Sequence, residues 1–241
     1  MSPEERELPF LEHLEELRWR LIKSIAAVVV LAIPCGVFWQ RIFDLVMIYP
    51  LRFADPKPNL IVTSPVEAVL LSLKIAIAGG IVLGTPVIFY QLWRFVSPGL
   101  YKNEKVVILP GVFFSTISFL LGVSFCYFIL PHVVKFLAGF AEGRMVAMYR
   151  TNEYLAFLLK LSLAFGLVFE LPVLSYVLTR LGLITPKFLI DKFRYALVVV
   201  FILAAILTPP DVLSQLLLAA PLLALYGISI IVSFFVARKQ S

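Results

Sequence analysis

Charge is the first thing this chain is short of. Only 15% of its 241 residues are Asp, Glu, Lys or Arg, while 61% are hydrophobic; a soluble domain is about 25% charged and roughly half apolar. Such a surface is stable only where lipid replaces water around much of it. Cysteine is nearly absent too. Cys35 and Cys126 both lie inside apolar runs, which argues against a disulfide framework. The two histidines, His13 and His132, are far apart, and no CxxC, HExxH or phosphate-binding glycine loop occurs. Metal, nucleotide and cofactor chemistry therefore find no support. No histidine falls within an expected span, so an intramembrane enzyme would lack a base for its nucleophile. The net charge of +6 would suggest nucleic acid in a soluble protein; here topology accounts for it, and no nucleic-acid partner is expected. Glu4, Glu5 and Glu7 ahead of Pro9 make the start too acidic for a cleavable signal peptide, so the first apolar run reads as a retained anchor.

What the chain has in abundance is long apolar runs. A spanning helix needs about 20 such residues. The pattern predicts an all-α polytopic membrane protein, a single membrane domain over 1–241. A short amphipathic interfacial helix covers about 9–20, followed by spans at about 21–39, 64–92, 106–130, 153–181, 194–207 and 212–236. Ser64, Pro65 and Glu67 form a capping box at the second span, with Trp93 and Arg94 as interfacial anchors at its end. Gln40 to Thr63 and Pro131 to Arg150 read as polar-interrupted loops. The fifth span is too short for the bilayer and must thin it, sit off-centre or pack behind longer neighbours. Thirteen lysines and arginines, among them Arg18, Arg94, Lys102, Arg180 and Arg238, fall at one set of helix ends and six at the other. The richer side is read as cytoplasmic, with both termini there. At an offset of 86 residues, Glu67, Lys74, Pro86, Tyr90 and Arg94 match Glu153, Lys160, Pro172, Tyr176 and Arg180. Two spans of the same direction share the needs of a capped start, a snorkelling lysine, a kink and an inner arginine, which explains the match without a duplicated transporter.

Few polar residues stand where they need explaining. Glu170 lies ten residues before Arg180, about 15 Å deep, where a carboxyl must be paired, protonated or facing a hollow. Phe10, Leu14, Leu17 and Leu21 share one face of the first helix, and Glu12, Glu16 and Arg20 recur every four residues on another. His13 alone carries no signal. Glu104 is a lone carboxylate among cations on the same membrane side as Glu16, and paired carboxylates there suit guanidinium groups. Asp211 reads as the cap of the last helix, with Thr208 and Gln215 able to hydrogen-bond another helix in lipid.

Five segments then carry a resemblance. Glu12-His13-Leu14-Glu15-Glu16-Leu17-Arg18, Thr85 through Phe95, Pro98-Gly99-Leu100-Tyr101-Lys102-Asn103-Glu104, Ala164 through Pro172, and Thr208 through Gln215 resemble, in the same order, motifs of the TatC family. Gly99 departs from the family's usual alanine. The resemblance implies the signal-reading core subunit of the twin-arginine translocation system of the bacterial cytoplasmic (inner) membrane. Such a subunit is not an enzyme, needs no cofactor, and uses the proton motive force. The implied partners are twin-arginine signal peptides of folded cargo, TatA- and TatB-like single-span proteins, membrane lipid and further copies of the chain, as a homo-oligomer within a larger complex. By the same resemblance Glu16 and Glu104 bind the paired arginines, with Phe95, Arg18 and Leu14 shaping that patch. Glu170 lines a membrane cavity, Thr208 and Gln215 meet a partner helix, and Pro50 and Asp211 serve assembly on the outer face. The alternative is a small proton-coupled secondary transporter or channel with Glu170 as its ion site. That class groups several ionisable residues at the midplane, where Glu170 stands nearly alone.

Overall fold

A computed structural model describes residues 4–53, 59–96, 108–139, 148–208 and 212–240, with side chains over 12–53, 59–95, 109–139, 148–208 and 212–238. The elements in order are α1 (Glu4–Val37), α2 (Trp39–Phe43), a π-helical turn (Asp44–Ile48) and α3 (Tyr49–Leu51). Then come β1 (Asn59–Ile61), α4 (Pro65–Val96), α5 (Ile108–Gly139), β2 (Met148–Arg150), α6 (Thr151–Val168) and α7 (Leu171–Arg180). The last are α8 (Pro186–Asp191), α9 (Phe193–Leu207) and α10 (Val212–Gln240). Among the described residues, five stretches are long and apolar enough to cross a membrane: Glu12–Val37, Pro65–Phe95, Leu109–Gly139, Thr151–Arg180 and Val212–Arg238. The apolar helix Phe193–Leu207 is shorter, about 22 Å for its 15 residues against a hydrocarbon core of about 30 Å. Its shortness is as expected. Val29, Val30, Ile33 and Val37 of α1 are 57–71% exposed, a surface that suits lipid and not water.

Several boundaries differ from expectation. The interfacial helix and the first span are one uninterrupted helix, α1, because no breaker lies between Phe10 and Leu21. The stretch after it is helical from Trp39 to Leu51 rather than a loop. Pro131 does not end α5, which runs on to Gly139. Proline removes only one helix hydrogen bond, and Val133, Val134 and Ala138 beyond it are at most 2% exposed, so burial carries the helix onward. Conversely, the fourth span is not one helix: it stops at Val168 and restarts at Leu171, just before Pro172.

The chain forms two compact units. One comprises Met1–Trp39 and Ser72–Thr116; the other comprises Gln40–Leu71 and Ile117–Ser241. In the first, Gly80 lets α4 approach α1 closely: a Cβ there would lie 2.5 Å from the Val28 carbonyl oxygen and 2.9 Å from the Ala32 nitrogen. In the second, Gly122 of α5 faces α6, where a Cβ would lie 2.6 Å from the Phe165 carbonyl oxygen. Gly166 answers from α6, close under the Phe119 ring. Helices α7 and α10 are joined by polar contacts: Ser175 donates to the Ser229 carbonyl at 2.7 Å, and the Thr179 and Ser233 hydroxyls share a bond of 2.7 Å. Small polar residues at such a seam allow close packing in lipid.

Strands β1 and β2 pair in parallel, Asn59 opposite Met148 and Ile61 opposite Arg150. They deliver the chain to the starts of α4 and α6. Glu67 does more there than a capping box requires. Its carboxylate accepts from the Thr63 backbone N–H (2.7 Å) and hydroxyl (3.0 Å), and across to α6 from the Asn152 N–H (3.1 Å). The Thr151 hydroxyl donates back to the Ile61 carbonyl at 2.9 Å.

Candidate functional site

In the first unit, two helix faces meet because each is built on one-turn spacing. On α1, His13, Glu16 and Arg20 fall three and four residues apart; on α4, Gln91 and Phe95 are four apart, so each set lines one face. The α4 face is held in register by Trp93, which points the other way. Its indole N–H donates to the Ser115 hydroxyl at 3.1 Å, and its ring lies against Gly111 of α5. Trp93 was expected as an interfacial anchor; at 6% exposure it is a core residue, since its N–H finds a partner inside the unit. Arg94 does stay exposed, bonding the Tyr90 hydroxyl at 2.8 Å.

At the meeting point the Phe95 ring stacks on the His13 imidazole, centroids 4.3 Å apart and planes 13° from parallel. The Arg20 guanidinium donates from Nε to Glu16 Oε1 at 3.0 Å, also from Nη2 to that oxygen, and from Nη1 to Gln91 Oε1 at 3.4 Å. The i,i+4 pairing expected of this helix is thus present. The other carboxylate oxygen, Oε2, is 3.6 Å from His13 Nδ1, beyond hydrogen-bonding range. Side-chain exposure grades across the cluster: Arg20 is 15% exposed, Glu16 32% and His13 44%. The arrangement is a part-exposed acidic group with one oxygen pinned by Arg20 and the other beside the His13 imidazole, itself stacked on Phe95. A carboxylate can accept about four hydrogen bonds, so it retains capacity for an incoming N–H donor.

The structure brings Glu16 and Phe95 together. Leu14 and Arg18 lie exposed on α1, and Leu14 is 46% exposed. Glu104 and Asp211 lie outside the described residues. His13 and Gln91 were not singled out from sequence, though each is one turn from a residue that was. In the second unit, Thr208 is buried and donates to the Ala204 carbonyl at 2.8 Å, while Gln215 donates to the Phe201 carbonyl at 3.0 Å. Glu170 is 5% exposed at the joint between α6 and α7. Pro50 of α3 is fully buried and lines a cavity beside α5. Among the described residues no cluster of His, Cys, Asp and Glu could hold a metal.

The chain has clear relatives among known proteins. The family model of the Sec-independent protein translocase protein (TatC) matches residues 12–221. The chain is 46% identical over 222 residues to the Sec-independent protein translocase protein TatC of Helicobacter pylori, covering 92% of this chain and 87% of that one. It is 42% identical over 241 residues to the protein of the same name from Desulforapulum autotrophicum, covering 100% and 89%. The one from Aquifex aeolicus is 40% identical over 236 residues, covering 97% and 98%. A crystal structure described as the twin-arginine translocase receptor TatC superposes with a TM-score of 0.84 at 40% identity, covering 94% of this chain and 100% of that one. The chain is a protein-transport component of the bacterial inner membrane, crossing it several times. It belongs to the TatC family of Sec-independent protein translocase proteins.

Proposed function

We propose that this chain is the receptor core of a twin-arginine translocation system, and that the patch around Glu16 and Phe95 grips the paired arginines of signal peptides on folded cargo. The observation that supports this is the Glu16 carboxylate, a third exposed, one oxygen held by Arg20 and the other 3.6 Å from the His13 imidazole, which stacks on Phe95. A guanidinium is a planar fork with five donors that also stacks on aromatic faces. Glu16 meets one arm of the motif, Phe95 offers a stacking face, and Glu104 is assigned the second arginine. In this reading α9 is a short fifth of six spans, and the lysine and arginine bias supports both termini being cytoplasmic. Thr208 and Gln215 face a TatA- or TatB-like single-span helix, Pro50 and Asp211 serve assembly with further copies, and the proton motive force drives transport.

The test is binding of a fluorescent twin-arginine peptide to the full chain. Glu16→Ala and Glu104→Ala should each weaken it about tenfold or more, because charge-assisted bonds are the strong ones. The double variant should fall well short of the product of the two effects, since one short motif spans both sites. Replacing the arginine pair by lysines should weaken binding, as should added salt. Wild-type affinity in the double variant would move the site elsewhere.

A further inference from the structure

In the second unit a cavity of about 650 Å³ opens beside the last turns of α5, lined by Tyr49, Phe53, Tyr127, Phe128, His132 and Lys135. Its chemistry is sorted along the helix. Ser124 and Phe128 line one end, and His132 and Lys135 the other, so the cavity runs from an uncharged end to a basic one over about 16 Å from Ser124 to Lys135 at the helical rise. The walls are fixed: the Tyr127 hydroxyl donates to the Leu45 carbonyl at 2.6 Å, and the Tyr49 ring stacks over Tyr127 at 6.2 Å and 11°. Among the described residues, no carboxylate lines the cavity. His132 and Lys135 are both exposed. Ile108 to Leu130 is free of charge and by itself spans about 33 Å, enough for the hydrocarbon core. Lys135 and the imidazole of His132, which follow, therefore reach the headgroup layer, where tyrosine rings also settle.

We propose that this cavity seats one anionic phospholipid, its phosphate held between Lys135 and His132 and the upper part of one acyl chain lying against Phe128 and Tyr49. Basic pockets at helix ends suit lipid phosphates, and the volume falls in the range of ligand sites. A partner helix fits less well: about 10 Å wide over the same 16 Å, it would need roughly twice the space.

The test uses the full chain purified in mild detergent, incubated with dioleoylphosphatidylglycerol or dioleoylphosphatidylcholine, with retained lipid counted by native mass spectrometry. One phosphatidylglycerol should be retained, and phosphatidylcholine about tenfold less. His132→Gln with Lys135→Gln should lower phosphatidylglycerol retention about tenfold without changing Tm, because both positions are exposed; Lys135→Arg should retain it. Ser124→Trp, filling the apolar end, should also abolish retention. Equal retention of phosphatidylcholine, or full retention by the double Gln variant, would overturn the proposal. So would glycerol 3-phosphate held as tightly as the lipid, which would mark a site for phosphate alone. Loss of a copurifying single-span subunit from the double variant, with lipid retention unchanged, would assign the cavity to a protein instead.

Discussion

Pro86 has no N–H to give to the Val82 carbonyl, four residues earlier, yet α4 runs straight through it. The Thr85 hydroxyl fills the gap, donating to Val82 at 2.7 Å and to Ile81 at 3.1 Å. Thr85 is 2% exposed, so no solvent can take its place. Thr85→Val keeps the shape and removes the donor; it should destabilise the protein by about 1–3 kcal/mol, the cost of an unsatisfied buried acceptor, read as a lowered Tm. The same locality explains what the sequence revealed of the candidate site. Glu16 and Arg20 repeat at helical spacing, so their pairing was readable at once. The stack of His13 on Phe95 joins residues 82 positions apart, and no local periodicity carries that information. It depends on Gly80 letting two helices come close.

Among the elements, α5 and α6 meet where two glycines face each other's backbones and rings. Gly122→Val should cost about 1–3 kcal/mol, since a backbone carbonyl cannot move aside as a side chain can. Gly139→Ala, on the same helix with open space around it, should be neutral or slightly stabilising. Thermal unfolding of the two variants in one detergent makes the comparison. The existence of the long apolar helices was legible because lipid demands unbroken apolar runs, and even the shortness of α9 could be counted. Their ends were less so. Pro86 and Pro131 lie inside helices, while the break ahead of Pro172 is real. Proline alone does not decide; what decides is whether a hydroxyl repairs the lost bond or buried neighbours continue the packing. Trp93 was misplaced for a related reason, because an indole fits an interface or a core equally well until Ser115 supplies its partner.

For the molecule as a whole, the thirteen-to-six bias of lysine and arginine remains the argument for orientation. Single cysteines introduced at Ser2 and Ser241, in a chain whose own Cys35 and Cys126 are both buried, should react with a membrane-impermeant maleimide only after the membrane is opened. Reaction of either in sealed cells would overturn an arrangement with both ends inside. The parallel pair of β1 and β2 and the carboxylate of Glu67 tie together the starts of α4 and α6. The amides of Thr63 and Asn152, 89 positions apart, donate to one side chain, so neither can lose its proton to solvent until that single clasp opens. Followed by deuterium uptake, the two should share one opening equilibrium and exchange together, reporting one joint where the sequence shows two separate loops.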